Sequence, residues 1–393
     1  KRRRKEMIKI LQGNCLDKLK ELPDQSVNTC ITSPPYWGLR DYGEGEQLGM
    51  EDTPEEFVNN MVEVFREVKR VLRDDGTVWL NLGDSYSSGG RTTTTNQSLR
   101  GDKDYGVTRP KPSKGIKPKD LIGIPWRVAF ALQQDGWYLR QDIIWHKPNP
   151  MPESVKDRCT KAHEYIFLLS KSPKYYFDNE AIKEDAKFPD GPNTPKSIKA
   201  VDGVYSKNLQ KIGANPKRNK RSVWTVTTKP FKGAHFATFP MDLIEPCVLA
   251  GCPEKICVGC NTPYVRQVES KRFKRNELPK DDPRYRPNTY EGSYKDINGK
   301  ADAGYTETKD LGLQKQCDCK TNETKSGTVL DPFGGSGTTG IVASNHNRKA
   351  VLIELNTEYI EIARQRIQDQ GGLFTDLEIV SGDSKVLNGD SRV

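Results

Sequence analysis

An α/β fold, a sheet with helices packed on it, is predicted by three features of the sequence. Residues 7–82 alternate short apolar runs with an amphipathic helical segment. Residues 327–369 read as strand, glycine-rich turn, helix, strand and helix, which is a βαβ unit. Between these halves lie long polar stretches that suit loops or insertions rather than core. The 393 residues allow one large domain or two ordinary ones, and a hydrophobic content of only 34% agrees with extensive insertions.

In chain order, residues 7–11 and 27–31 are apolar runs of strand length, and "TVWLNL" at 77–82 is a third. Residues 53–72 between them carry helix signals: Thr53 as N-cap, Pro54 at the first helical position and Glu56 completing a capping box. Phe57, Met61, Val64, Phe65, Val68 and Leu72 then share one face. Two more strands are predicted at 138–145 and 164–169. In the second half, 329–330 ends a strand, 338–344 starts a helix, 350–353 is a strand ending in Glu354, and Tyr359, Ile360, Ala363 and Ile367 line a further helix. Residues 241–250 read as an amphipathic helix. Residues 85–120 and 261–325 are polar, and 183–232 hold 12 Lys and Arg against 4 Asp and Glu.

Two turns raise chemical questions. At 33–36 the strand "NTCIT" gives way to "SPPY", where two prolines remove two backbone donors and fix two φ angles, so that Ser33 is followed by a stiff, extended exit. Taken alone, this is a rigid loop with a packed tyrosine. At 331–337, "DPFGGSG" turns a strand sharply into a helix while allowing a ligand to approach the backbone. No Lys follows the last glycine, so this is not the phosphate loop of nucleotide hydrolases. Glu354 ends the next strand, where a carboxylate can accept hydrogen bonds from ribose hydroxyls.

"TSPPYW" at 32–37, "HFATFP" at 235–240 and "DPFGGSGTT" at 331–339 together resemble the motifs of the DNA amino-methyltransferases, and their order resembles the permuted beta group. The likeness covers most of residues 7–170, 234–254 and 327–369. It implies a Rossmann-like, S-adenosylmethionine-dependent methyltransferase fold with a mixed seven-stranded sheet, circularly permuted motif order and insertions. It places Ser33, Pro34, Pro35 and Tyr36 at the catalytic centre. It places Asn14, His235, Phe236, Thr238, Phe239, Pro240, Asp331, Phe333, Gly335, Ser336, Gly337, Thr338 and Glu354 around S-adenosylmethionine. Asn14 and Asn28 stand where family members commonly carry an acidic residue.

In that setting the Ser33 oxygen and the Pro34 carbonyl can accept the two N–H bonds of a base amino group and favour the pyramidal nitrogen needed for in-line attack. Tyr36 can stack on a flipped-out base, a contact worth about 1–3 kcal/mol by analogy with single-strand binders. The implied activity is methylation of an exocyclic amino group in double-stranded DNA. Serine at 33 resembles the cytosine-N4 subgroup more than the adenine-N6 one. An RNA or small-molecule methyltransferase, or an inactive DNA-binding module, are the alternatives. A cognate restriction endonuclease is an implied partner.

The permuted order implies that residues 7–11 supply the strand that would otherwise follow the helix at 357–369. That leaves 377–380 to add an edge strand or to pack elsewhere. The expected layout is a catalytic half at 1–182 with a loop insertion at 85–120, a basic candidate recognition segment at 183–232, a core helix and cofactor segment at 233–256, a candidate zinc insertion at 257–325, a cofactor half at 326–370 and a tail at 371–393. Within the insertion, Cys257 and Cys260, with Cys317 and Cys319, form two close pairs that suit a four-thiolate zinc site, with Cys252 as a spare ligand. Cys247 in "EPC" invites comparison with the nucleophile of cytosine-C5 methyltransferases, but the segment around it reads as a helix and buries it. The net charge of +9 is compatible with a polyanionic partner. No apolar run approaches membrane-spanning length, and "KRRRK" at the start is followed by a mixed segment rather than an apolar one, so a cytoplasmic protein with thiols or metal ligands in place of disulfides is expected.

Overall fold

The structure, a computed structural model, describes residues 8–38, 47–87, 116–185, 217–228, 239–273, 279–281, 305–371 and 376–381. The chain divides into two compact units, one formed by residues 1–177, 221–263 and 319–393, the other by 178–220 and 264–318.

The first unit is built on β1 (Ile8–Gln12), α1 (Cys15–Lys20), β2 (Val27–Thr32), α2 (Pro54–Val71), β3 (Leu72–Leu82), α3 (Ile124–Gln134), β4 (Tyr138–His146) and β5 (His163–Ser170). The second unit contributes β6 (Glu184–Asp185) and β7 (Lys217–Arg218). The first resumes with β8 (Val223–Thr225), α4 (Met241–Gly251) and β9 (Ile256–Cys257). After β10 (Val265–Phe273) and β11 (Tyr305–Gln314) of the second unit come β12 (Thr324–Lys325), β13 (Thr328–Asp331), α5 (Thr338–Asn345), β14 (Lys349–Glu354), α6 (Thr357–Gly371) and β15 (Leu377–Val380).

The main sheet has the order β15-β1-β14-β13-β2-β3-β5-β4-β8. Its seven inner strands, β1 to β4, are the mixed sheet that was expected, and β15 and β8 extend it by one strand at either edge. Pairing is parallel from β15 to β3 and antiparallel at β5, which among the described strands is the one of reversed direction. β1 pairs in parallel with β14, Ile8 opposite Ala350 through Gln12 opposite Glu354. The first strand of the chain thus neighbours the last βαβ unit, as the permuted motif order predicts. β8 lies inside the basic 183–232 stretch, so that stretch is shared between the two units.

Local chemistry explains the elements. The capping box of α2 is formed, with Thr53 Oγ1 accepting from Glu56 N at 3.2 Å and Glu56 Oε2 from Thr53 N at 3.2 Å. The apolar face of α2 is fully buried. Every residue of β2 is buried, as befits a parallel strand covered on both faces. By the pleat, Cys30, Val78 and Leu80 join the core cluster with α2 and α3, while Thr29, Thr77 and Trp79 face α4. Gly251 makes that second contact possible: a Cβ there would lie 2.6 Å from Trp79 Nε1 and 2.8 Å from Thr77 Oγ1. Cys247 is wholly buried in α4, as its helical setting predicts.

Helix α3 was not anticipated. Its signals, Pro125 in the first turn and buried Ile124, Val128 and Leu132 at helical spacing, follow a stretch dominated by polar residues. Asp84, just past β3, caps it by accepting from Gly123 N at 3.0 Å and Ile124 N at 3.1 Å.

In the second unit, β10 and β11 form a hairpin with a register shift at Gln267/Val268, and β6 pairs with β7. The guanidinium of Arg266 bridges Asp178 and Asp310, at 3.1 and 2.9 Å.

Candidate active site

Parallel strands end on the same edge of a sheet, so the turns after β1, β2, β13 and β14 are neighbours by topology. Asn14, Ser33 to Tyr36 and Phe333 to Gly337 occupy those turns, while Thr338 opens α5 and Glu354 ends β14. One buried group ties two of them together. The Asp331 carboxylate, at the end of β13, accepts from Thr32 Oγ1 at 2.6 Å, from Thr339 Oγ1 at 2.6 Å and from Phe333 N at 3.1 Å. Thr32 immediately precedes Ser33, so this carboxylate pins the Ser-Pro-Pro-Tyr exit to the glycine turn. Burial pushes the Asp331 carboxyl up to about 7, against the opposing pull of its three donors. With both oxygens engaged inside the protein, Asp331 shapes the turn.

The glycine turn has the conformation its sequence implies. Gly335 and Gly337 adopt φ of +48° and +77°. A Cβ on Gly337 would press on Ala363 Cβ at 3.0 Å, whereas among the described residues one on Gly335 would meet only Phe333 O, at 3.9 Å. One side of the turn is therefore closed by α6, and the other, at Gly335, is open among the described residues. Glu354 spans the gap, its Oε2 accepting from Gly335 N at 2.7 Å and its Oε1 from Asn356 N at 2.9 Å. Arg366 of α6 donates to Ser336 O at 2.6 Å and to Thr338 Oγ1 at 3.1 Å, and also bonds Ser336 Oγ. Burial lowers the pKa of this guanidinium. Asn14 caps α1, its Oδ1 accepting from Leu16 N at 2.9 Å. Asn28 is buried, and its Oδ1 accepts from Thr328 N at 2.9 Å, which aligns β13 on β2.

Around the Ser-Pro-Pro-Tyr turn, Tyr36 Oη donates to Glu164 Oε2 at 2.7 Å and lies 3.3 Å from Asn81 Oδ1 and 3.4 Å from Ser33 Oγ. Lys147 forms an ion pair with Glu164 Oε1. Gly83 lets the tyrosine ring sit against the chain after β3, since a Cβ there would lie 2.6 Å from Tyr36 Cε2. Gly49, at φ +98°, similarly leaves room for Pro35. Trp37, next in sequence, is buried and donates to Glu51 O at 2.9 Å.

Of the remaining expected residues, Pro34 is buried and Pro35 half-buried in the turn. Pro240 is the N-cap of α4, with Phe239 half-buried before it. His235, Phe236 and Thr238 lie outside the described residues. Sequence reasoning missed Glu164, Asn81, Lys147 and Arg366. Glu164 left a signal, a carboxylate near the start of the otherwise apolar strand "EYIFLLS".

The Sγ atoms of Cys257, Cys260, Cys317 and Cys319 all lie within 4.8 Å of one another. A short ladder between β9 and β12, Thr324 opposite Cys257, fixes the first pair, and Asn261, at φ +60°, closes the turn by donating to Cys257 O at 2.9 Å. Cys252 is not part of this cluster; it is buried on the core side, where desolvation pushes its thiol up to about 12. Among the described residues no helix is long and apolar enough to cross a membrane.

The chain has counterparts among known proteins. The DNA methylase family matches residues 27–258 and 293–365. The type II methyltransferase M.Cfr9I of Citrobacter freundii is 42% identical over 361 residues, 92% of this chain and 88% of that one. M.SmaI of Serratia marcescens is 41% identical over 362 residues, 91% and 90% of the two chains. Among solved structures, the PvuII DNA methyltransferase, described as cytosine-N4-specific, superposes with a TM-score of 0.50 at 16% identity, covering 98% of this chain and 99% of that one, a likeness of fold. The permuted Rossmann-like sheet, the family match over most of the chain and the relatives above 40% identity lead to one assignment: the chain belongs to the N6/N4 DNA methylase family, the DNA amino-methyltransferases.

Proposed function

We propose that this protein methylates the N4 amino group of cytosine in duplex DNA, with S-adenosylmethionine as methyl donor and the target base flipped out of the helix. The observation that carries the reading is the coupling of the Ser33-Pro34-Pro35-Tyr36 turn to the glycine turn through Thr32 and Asp331. The residues present fit an adenosyl group: among the described residues the turn is open at Gly335, and the Glu354 carboxylate stands at the end of the next strand, where ribose hydroxyls bind in folds of this type. When bound, S-adenosylmethionine supplies an electrophilic sulfonium methyl; the new N–C bond replaces the S–C bond, the thioether leaves neutral, and the amino nitrogen sheds one proton to solvent.

The chain's own residues position the nucleophile. Ser33 Oγ and the Pro34 carbonyl accept the amino N–H bonds, drawing the nitrogen lone pair out of conjugation with the ring. Tyr36 stacks on the extruded base in place of its lost neighbours. Serine rather than aspartate at 33 favours cytosine over adenine. The type II names of the relatives support a role in modification beside a cognate restriction endonuclease. Mass spectrometry of nucleosides from duplex DNA treated with the enzyme is expected to reveal N4-methyldeoxycytidine. N6-methyldeoxyadenosine instead would move the assignment to the adenine subgroup, and methylation of RNA alone would refute a DNA substrate.

The cysteine cluster adds a structural zinc to this reading. A tetrahedral ion with Zn–S bonds of about 2.3 Å needs sulfurs roughly 3.8 Å apart, close to the clustering present. The two pairs bracket residues 261–316, and a closed four-thiolate site leaves no position open for catalysis, so its contribution is to folding. Purified protein is expected to hold about one zinc per chain, and Cys260→Ser with Cys319→Ser to lose it. Metal-free protein with all four thiols freely reactive, or with Cys257 and Cys260 joined as a disulfide, would refute the site.

A further inference from the structure

The groups behind Tyr36 form a sequence of donors and acceptors with a fixed direction. Glu164 sits on β5 opposite Trp145 of β4, and Lys147 follows β4, its backbone N donating to Ala162 O at 2.8 Å. The antiparallel ladder therefore holds the ammonium and the carboxylate side by side, with the Lys147 ammonium also 4.2 Å from the Trp145 ring centroid. An ionised carboxylate can only accept. The short Tyr36 contact to Glu164, 2.7 Å, thus commits the phenol proton to Glu164. Asn81 is a second, more distant acceptor on the same side: its amide nitrogen donates to Tyr165 O at 3.0 Å, which turns its oxygen toward Tyr36 at 3.3 Å, so Asn81 too offers the phenol oxygen no proton and the phenol proton points away from Ser33. Toward Ser33, 3.4 Å away, the phenol oxygen then offers lone pairs.

We infer that Lys147, Glu164 and Tyr36 are a directional relay that turns the Ser33 hydroxyl proton toward Tyr36 and leaves the Ser33 lone pairs facing the substrate amino group. This rests on the proposed amino-group chemistry and adds positioning residues to it. A hydroxyl can donate or accept, and against an amino group only acceptance supports catalysis; the relay removes the unproductive rotamer. It also gives the tyrosine hydroxyl a purpose that base stacking alone would not require.

The test is a set of single-turnover rates with cofactor affinity measured in parallel. Tyr36→Phe, which keeps the ring, and Glu164→Gln, which keeps the shape, are each expected to lower the rate roughly tenfold or more with S-adenosylmethionine affinity unchanged, although Glu164→Gln also strips Lys147 of its carboxylate and lowers the thermal midpoint. The deciding arm is Glu164→Gln placed in Ser33→Ala: with no hydroxyl left to orient, the second change is expected to have no further effect. A merely structural Glu164 would lower the rate by the same factor in both backgrounds, and that result, or full activity of Glu164→Gln alone, would overturn the relay. Additive losses in a wild-type enzyme that methylates DNA would refute the relay only, whereas an enzyme that methylates no base amino group would refute the function on which it rests.

Discussion

Replacing Ser33 by Ala is expected to lower single-turnover methyl transfer by about 10²–10³, the range found when one preorganised polar partner of a developing charge is removed, while S-adenosylmethionine affinity stays the same. The split follows from where the side chain stands. Ser33 Oγ is near Tyr36, and among the described residues its hydrogen bond is to Tyr36 rather than to the glycine turn. The backbone that carries it is held independently, by Thr32 on Asp331 and by the two prolines, so loss of the hydroxyl leaves the turn in place. Glu354→Ala and Gly335→Asp are expected to divide the other way. The first removes the carboxylate that spans the turn, and the second places a charged side chain at φ +48° on the turn's open side. Both are expected to weaken cofactor binding by calorimetry. Unchanged affinity in both would remove the cofactor assignment, and full activity of Ser33→Ala would remove the amino-group mechanism.

What the sequence disclosed follows a physical boundary. Elements that bury a regular face, such as α2 with its capping box, or that need an unusual backbone, such as the turn at Gly335 and Gly337, are written in local residue order and could be read directly. The convergence of the four cysteines was legible as well, because two close pairs bracketing a polar insertion stand out by their spacing. The relay behind Tyr36 was not. Glu164 and Lys147 are 17 residues apart, lie more than 110 residues from Tyr36, and meet it only through the register of β4 on β5 and of β5 on β3. Arg366 is hidden for the same reason, since it reaches the turn at Ser336 from α6, 30 residues along the chain. Asn14 and Asn28 show the converse. Resemblance places both where an acid is common, and the structure gives each a structural bond of its own, to Leu16 N and to Thr328 N.

Two truncations distinguish the strands that the permuted order places at the join. β1 lies between β14 and β15, and its Ile8, Ile10 and Leu11 are buried. Ile8 also packs beneath α5, where a Cβ on Gly340 would meet its Cγ2 at 3.1 Å. Losing three such side chains costs about 2–5 kcal/mol each, a total comparable with the whole stability of an ordinary domain, roughly 5–15 kcal/mol. Deleting residues 1–14 is therefore expected to abolish both cooperative unfolding and cofactor binding. β15 is different. Its four residues are half-buried at the sheet edge, and its side-chain tie to β1, Lys9 with Glu378 at 3.4 Å, is a partly exposed pair of the kind worth at most about 1 kcal/mol. Truncation after Gln370 removes β15 and leaves β1 as a solvent-facing edge still paired with β14. That variant is expected to melt a few degrees lower and to bind S-adenosylmethionine as the full chain does. A truncated protein that stays folded yet loses the cofactor would place part of the binding site in the last 23 residues, and a folded, cofactor-binding protein lacking residues 1–14 would overturn the role of β1 in the sheet.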